Sequence, residues 1–193
     1  MGTIISSINV TADGFCGHLD AIADEEHHSF ATDLLRQADL LLLGRVTYQL
    51  FEKFWPQAAQ DTSLAKPIFE LAHLLDNVKK VVVTTTLQKA EWKNTSILMS
   101  VNSDIVESLK ATHKKILVFG SPGLLSSLTK QELIDEYYFT IQPIISGKGI
   151  RIFDKLSLDE KINLKLIQTK QFASGVLTVY YSRNDYKQGT TNR

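Results

Sequence analysis

Two stretches of the 193-residue chain combine residue types suited to gripping a phosphate. They are Leu43-Gly44-Arg45-Val46-Thr47 and Phe119-Gly120-Ser121-Pro122-Gly123-Leu124, and in each an apolar run ends at a glycine where a helix-forming segment begins. A glycine lets backbone approach a ligand closely, and the free N–H groups of a starting helix attract phosphate oxygens. Arg45 adds a charge able to bind two oxygens at once, and Thr47 adds a hydroxyl. A third run, Val83-Thr84-Thr85-Thr86, offers hydroxyls of the kind that contact a ribose or its phosphate. Each alone is no more than a tight turn or a β-forming threonine run. Together they fall outside the carboxyl ends of strands, where open α/β sheets bind their ligands.

Candidates for proton chemistry are fewer. Asp13, in Ala12-Asp13-Gly14, reads as a turn former or as a site acid. His28 and its neighbour His27 open a helical segment, and an unperturbed imidazole titrates near neutrality, so either is a candidate proton donor. Cys16 has no adjacent basic residue and reads as a packed thiol. His18, His27 and His28 with Asp20, Asp24 and Glu26 lack a liganding spacing, so no metal is expected.

The elements that must hold these residues follow from periodicity. Leu40 to Leu43 is apolar at both parities, the pattern of a short strand covered on both faces in a parallel sheet. Ile4, Ile5, Ile8 and Val10 make a first strand that closes at Asp13-Gly14, and Asp24 caps a helix running to Ala38. A helix is predicted over 46–54 with a break near Pro56, then a second through Ile68, Leu71, Leu74 and Leu75. Strands follow at 80–84, 97–99 and 116–119, with Ser103 capping a helix between the last two. Segments 137–145, 162–172 and 176–182 read as longer strands, the last two joined by Ala173-Ser174-Gly175 as a hairpin. The sum is a mixed α/β sheet, with residues 1–185 as one domain and 186–193 as a polar tail.

Composition sets the outer limits. Hydrophobic residues at 44% and charged residues at 22% are ordinary globular usage. Lys plus Arg and Asp plus Glu number 21 each, and this balance argues against a nucleic-acid partner. The apolar run at Leu40 is far shorter than a bilayer requires, so no membrane partner is expected. One cysteine cannot form an internal disulfide, and the start MGTIISSINV lacks signal-peptide features, which points to the cytoplasm.

In their order and spacing, SINVTADGFCG, LLLLGRVTY, VVVTTT, ILVFGSPGLLSSL and LIDEYYFTIQPIISGKGIRIF resemble the dihydrofolate-reductase-like superfamily. Within it the chain is most similar to the reductase domain of the riboflavin-biosynthesis deaminase-reductase, in stand-alone form. The resemblance covers nearly the whole chain and implies a three-layer α/β fold: a mixed, mostly parallel sheet, helices on both faces and a C-terminal antiparallel hairpin. It implies NADPH as cofactor, with Gly44, Arg45 and Thr47 on the pyrophosphate and 2′-phosphate side and Thr84 and Thr85 on the adenosine side. Gly120, Ser121, Pro122, Gly123 and Leu124 resemble the turn beneath the diphosphate, although relatives often carry two glycines where this chain has Ser121-Pro122. Residues 12–17 resemble the mobile loop over the nicotinamide.

Two departures stand out. The helix slot that holds a carboxylate in dihydrofolate reductases falls near His27 and His28, and Gln49-Leu50-Phe51-Glu52-Lys53 replaces an acidic segment of the riboflavin enzymes. The expected activity is hydride transfer from NADPH to a C=N or C=O group of a small heterocyclic or sugar-linked substrate, with Asp13 and His28 as catalytic candidates. Reduction of 5-amino-6-(5-phosphoribosylamino)uracil, dihydrofolate reduction and non-catalytic nucleotide binding stand as alternatives. The expected partners are the small-molecule substrate and a second copy of the chain in a homodimer.

Overall fold

The computed structural model describes residues 2–154 and 156–183, so the domain edge at 185 and the tail 186–193 lie outside the described residues. The elements in chain order are β1 (Thr3–Thr11), α1 (Glu25–Gln37), β2 (Leu40–Gly44), α2 (Arg45–Ala58), α3 (Lys66–Asn77), β3 (Lys80–Val83) and β4 (Thr95–Leu98). They continue with α4 (Ser103–Thr112), β5 (Lys115–Phe119), α5 (Pro122–Lys130), β6 (Glu136–Gln142), β7 (Leu164–Gln171) and β8 (Leu177–Arg183). All eight strands join one sheet in the order β4-β3-β2-β5-β1-β6-β8-β7. Strands β1 to β6 pair in parallel, and β8 runs antiparallel to both β6 and β7.

The leucines of β2 show why the sheet has two covered faces. Leu40 and Leu42 pack with Ile4, Ile8 and Val118 under Val106 of α4 and Leu125 of α5. Leu41 and Leu43 point the other way, onto Leu35 of α1, Tyr48 of α2 and Leu75 of α3. None of the four is more than 2% exposed, and each contributes about 1.5–3 kcal/mol of burial free energy. The α1-α2-α3 layer, the sheet and the α4-α5 layer are thus fixed by one pleated run of leucines.

Local chemistry moves several predicted boundaries. Helix α2 runs through Pro56 and ends at Ala58. Pro56 supplies no N–H to the turn before it, but only the final two helical residues lie beyond it, so the helix passes through without a break. Asn102, not Ser103, caps α4, its Oδ1 accepting from the Ile105 N–H at 3.0 Å. Strand β4 starts at Thr95, in parallel register with Lys80, and leaves Met99 exposed. Strand β6 stops at Gln142 because Pro143 has no N–H for the ladder. The final hairpin turns at Gly175, whose φ of +85° suits glycine.

Parallel pairing brings the carboxyl ends of β1, β2, β3 and β5 to one edge. Gly44 lies opposite Val83, which places Thr84 and Gly120 at that same edge. Gly44 is both the last residue of β2 and the N-cap of α2, so no loop intervenes. The segment after β1 zips against residues 144–152: Ala12 N–H donates to the Ile144 carbonyl and Cys16 N–H to that of Ile150, each at 2.9 Å. Among the described residues no helix is long and apolar enough to cross a membrane.

Candidate functional site

A cleft of about 1180 Å³ opens at this edge, between the starts of α1, α2 and α5. Gly44, Arg45, Thr47, Gly120, Ser121, Pro122, Gly123 and Leu124 all line it. The two glycine turns are bolted together. Gly44 N–H donates to Ser121 Oγ at 2.9 Å, Ser121 N–H donates to Thr47 Oγ1 at 3.1 Å, and Ser121 Oγ donates to the Phe119 carbonyl at 3.1 Å. Gly120 and Ser121 are consecutive left-handed residues, with φ of +57° and +56°. For Ser121 that conformation costs about 1–2 kcal/mol, offset by the two bonds of its hydroxyl. A side chain on Gly120 would carry the same cost and begin 3.5 Å from Thr47 Cγ2.

The helix starts differ in a telling way. Asp24 caps α1 through its bond from the His27 N–H at 2.8 Å, and Asn102 caps α4, whereas α2, α3 and α5 have no side-chain cap. The first-turn residues of α2 and α5, at the positive ends of their helix dipoles, line the cleft, while the start of α3 does not. Pro122 occupies the start of α5, where its missing N–H removes no intrahelical bond. Around Gly123 nothing lies within 4 Å of where a Cβ would stand. Arg45 is exposed, donates to Gln49 Oε1 at 2.9 Å and pairs with no carboxylate among the described residues.

Other predicted residues take different places. Thr84 and Thr85 are not in the cleft wall, where Val83, Ser100 and Val101 stand instead. Thr84 Oγ1 accepts from the N–H groups of Thr86 and Leu87 at 3.1 Å each, so its hydroxyl closes the turn after β3. Asp13 also lies outside the cleft wall. It accepts from Thr11 Oγ1 at 2.6 Å, Gly147 N–H at 2.8 Å and Ser146 N–H at 3.1 Å. The Thr11 hydroxyl, helped by the two amides, holds the carboxyl down to about 2. At neutral pH Asp13 therefore has no proton to give, and it is a staple between two loops rather than a catalytic acid.

The imidazoles are in the cleft. His28 Nδ1 is 2.7 Å from the Asp24 carbonyl, so Nδ1 carries a proton and Nε2 is left without a partner among the described residues. His27 Nε2 is 3.0 Å from Asn9 Oδ1, and burial, with His28 adding to it, lowers the His27 pKa to about 4. The acids near them are spent elsewhere: Asp24 on its cap, and Glu26 on the Ala173 N–H at 2.6 Å. Asp154 is the one carboxylate residue of the cleft wall among the described residues. Cys16 lines the cleft with Sγ 3.2 Å from the Ile150 carbonyl, and burial pushes its thiol up, away from thiolate chemistry. Among the described residues no three His, Cys, Asp or Glu converge as a metal site would require.

Sequence reasoning missed two parts of the wall. Val46, Leu50 and Phe54 form an exposed apolar stripe on α2, with Phe51 beside it. Their i, i+4, i+8 spacing was the available signal. Asn9, one of several polar residues of β1 alongside Ser6, Ser7 and Thr11, gave none.

A mixed sheet with a terminal antiparallel hairpin, helices on both faces and a cleft at its carboxyl edge is the dihydrofolate-reductase-like fold. The structure matches a dihydrofolate reductase from Enterococcus faecalis complexed with NADP(H) and RAB-propyl at a TM-score of 0.63 and 15% identity, covering 95% of this chain and 98% of that one. It matches a pyrimidine reductase-like protein from Corynebacterium diphtheriae at a TM-score of 0.65 and 15% identity, covering 95% and 92%. Within that fold the chain belongs to the RibD C-terminal domain family, whose model matches residues 2–178. The uncharacterized protein YyaP of Bacillus subtilis (strain 168) is 31% identical over 189 residues, 94% of this chain and 95% of that protein.

Proposed function

We propose that the protein is an NADPH-dependent reductase acting on a C=N or C=O carbon of a small heterocyclic or sugar-linked molecule. The observation that carries this reading is the pair of uncapped helix starts facing one cleft with Arg45. A dinucleotide diphosphate needs N–H donors and positive dipole ends, which the first turns of α2 and α5 supply. A 2′-phosphate needs a cation with no resident carboxylate, the condition of Arg45 among the described residues. The open space at Gly123 gives the backbone the close approach that a Cβ would block. The cleft is larger than the roughly 300–1000 Å³ of a typical single-ligand pocket, which suits a cofactor and a substrate side by side.

NADPH when bound supplies the hydride. The protein's share is to hold, orient and protonate. His28, with Nδ1–H anchored on Asp24, keeps Nε2 available to carry a proton to the reduced atom. The apolar stripe of α2 excludes water from the reacting face and offers a flat ring Phe54 and Trp55 to lie against. No carboxylate stands on α1 in the cleft wall, so the folate-type alternative gains no support from the site. The same reading takes residues 1–185 as one domain that works as a homodimer in the cytoplasm.

Fluorescence titration tests the cofactor. Wild type binds NADPH more tightly than NADH, and Arg45→Gln removes most of that preference, about tenfold for one charge-assisted contact. Gly123→Leu weakens both without lowering the melting temperature, because its side chain enters open space. Bound NADPH also shields Cys16 from alkylation. Equal wild-type affinity for the two dinucleotides sinks the role of Arg45, and no binding of either sinks the reading.

A further inference from the structure

A chain of uncharged polar groups runs behind the cleft wall, and each link has only one permitted orientation. It begins in the segment before α1, where Ile22 N–H donates to Gln142 Oε1 at 2.9 Å. A backbone N–H can only donate, so that atom is the amide oxygen and the other end of Gln142 is its NH2. The NH2 lies 3.4 Å from Asn9 Oδ1, which fixes the inward atom of Asn9 as oxygen. The same oxygen lies 3.0 Å from His27 Nε2, which must therefore carry the ring proton. Asn9 turns its own NH2 away from all three, with no partner for it among the described residues, and Asn9 lines the cleft.

The sheet explains how this chain is built. Asn9 pairs with Thr140 and Thr11 with Gln142 across β1 and β6, so the pleat sets Asn9 and Gln142 on one face as diagonal neighbours. Gln142 is 1% exposed. A polar side chain so deeply placed is costly unless its bonds are made, and here they are made in the one arrangement that leaves Asn9 a donor. His27 stays neutral at ordinary pH because burial holds its pKa down, so the lock persists there.

We infer that Asn9 is a substrate-orienting residue whose outward N–H groups bind the carbonyl oxygen or ring nitrogen of an uncharged, flat substrate, and that Gln142 is the positioning residue that makes Asn9 a donor. A donor aimed at a carbonyl oxygen or imine nitrogen is also placed to stabilise the negative charge that develops there as hydride arrives. The inference rests on the reductase reading for calling the occupant a substrate. The donor character of Asn9 stands or falls without any cofactor.

The test uses the cofactor-free protein and two flat probes of similar size, quinazolin-4(3H)-one, which has acceptors, and naphthalene, which has none. Wild type binds quinazolinone about tenfold more tightly than naphthalene, the worth of one well-made hydrogen bond in a dry site, and the Asn9 side-chain amide resonance shifts on binding. Asn9→Leu brings the two affinities together. Nitrogen-15 NMR of wild type reports His27 as the Nε2–H tautomer. In Gln142→Leu the two His27 tautomers mix and the quinazolinone preference falls several-fold.

A wild-type Nδ1–H tautomer at His27, or a quinazolinone preference that survives Asn9→Leu, overturns the inference. Gln142→Leu that lowers the melting temperature yet leaves tautomer and preference unchanged removes the positioning role. If that variant does not fold, the wild-type tautomer and Asn9→Leu still decide. A preserved quinazolinone preference with no NADPH binding sinks the reductase reading alone, and NADPH binding without the preference sinks this inference alone.

Discussion

Asp13 faces three donors, and among the described residues no acceptor, and this sets its ionisation. Folded, it titrates at about 2 instead of the ordinary 3.8, so the unfolded chain takes up its proton first as acid is added. Its contribution to stability is complete above about pH 4 and fades as the pH falls toward 2. Asp13→Asn is therefore less stable than wild type at pH 7 by thermal melting, and the deficit shrinks across that window. The Ser146 and Gly147 amides exchange faster in the variant at neutral pH. A constant deficit from pH 7 to 2 refutes the staple. The sequence offered Asp13 as turn former or acid, and it could not choose, because two of its three partners lie more than 130 residues away.

The helices show how an element is held as well as started. Lys80, the first residue of β3, is 1% exposed and sends Nζ to the carbonyls of Leu75, Asp76 and Val78 at the end of α3, at 2.7, 3.3 and 2.9 Å. It also lies 4.3 Å from the ring of Trp92, whose Nε1–H donates to Asp76. Burial lowers the Lys80 pKa from 10.5 to about 8 despite the pull of Asp76. Between those values the unfolded chain holds a proton that the folded chain has released, so Lys80 adds a term that raises stability with pH there. Denaturant unfolding of wild type and Lys80→Met at pH 8 and pH 9.5 checks it: the difference between them grows in favour of wild type. At pH 7 the variant is weaker by about 1–3 kcal/mol, because three carbonyls lose their donor. In sequence this lysine looks like the polar edge of a strand, and only the return of α3 against β3 makes it a helix cap.

At the scale of the molecule, the sheet ends on β7, seven of whose eight residues are exposed and whose outer edge pairs with no described strand. Leu166 and Ile167 stand 53% and 47% exposed on it, beside a register shift. An open edge with apolar residues invites a second copy, and light scattering of the proposed homodimer gives twice the chain mass, with Leu166→Lys and Ile167→Lys together returning a monomer. A wild-type monomer removes the dimer. The layered α/β plan was legible because burial leaves a period in the sequence: Leu40 to Leu43 announce a strand covered on both faces, and Asp24 announces its helix. The glycine turns at Gly44 and Gly120 were legible too, since a strand passing directly into a helix leaves few residue types for the joint. What the sequence by itself determined is therefore local, the elements and the turns between them, because their physics acts within a few residues. Only the tertiary structure decided which polar groups meet. It bound Asp13 to a distant loop and joined Asn9 to Gln142 and His27, since a hydrogen bond depends on positions in space that chain distance does not encode.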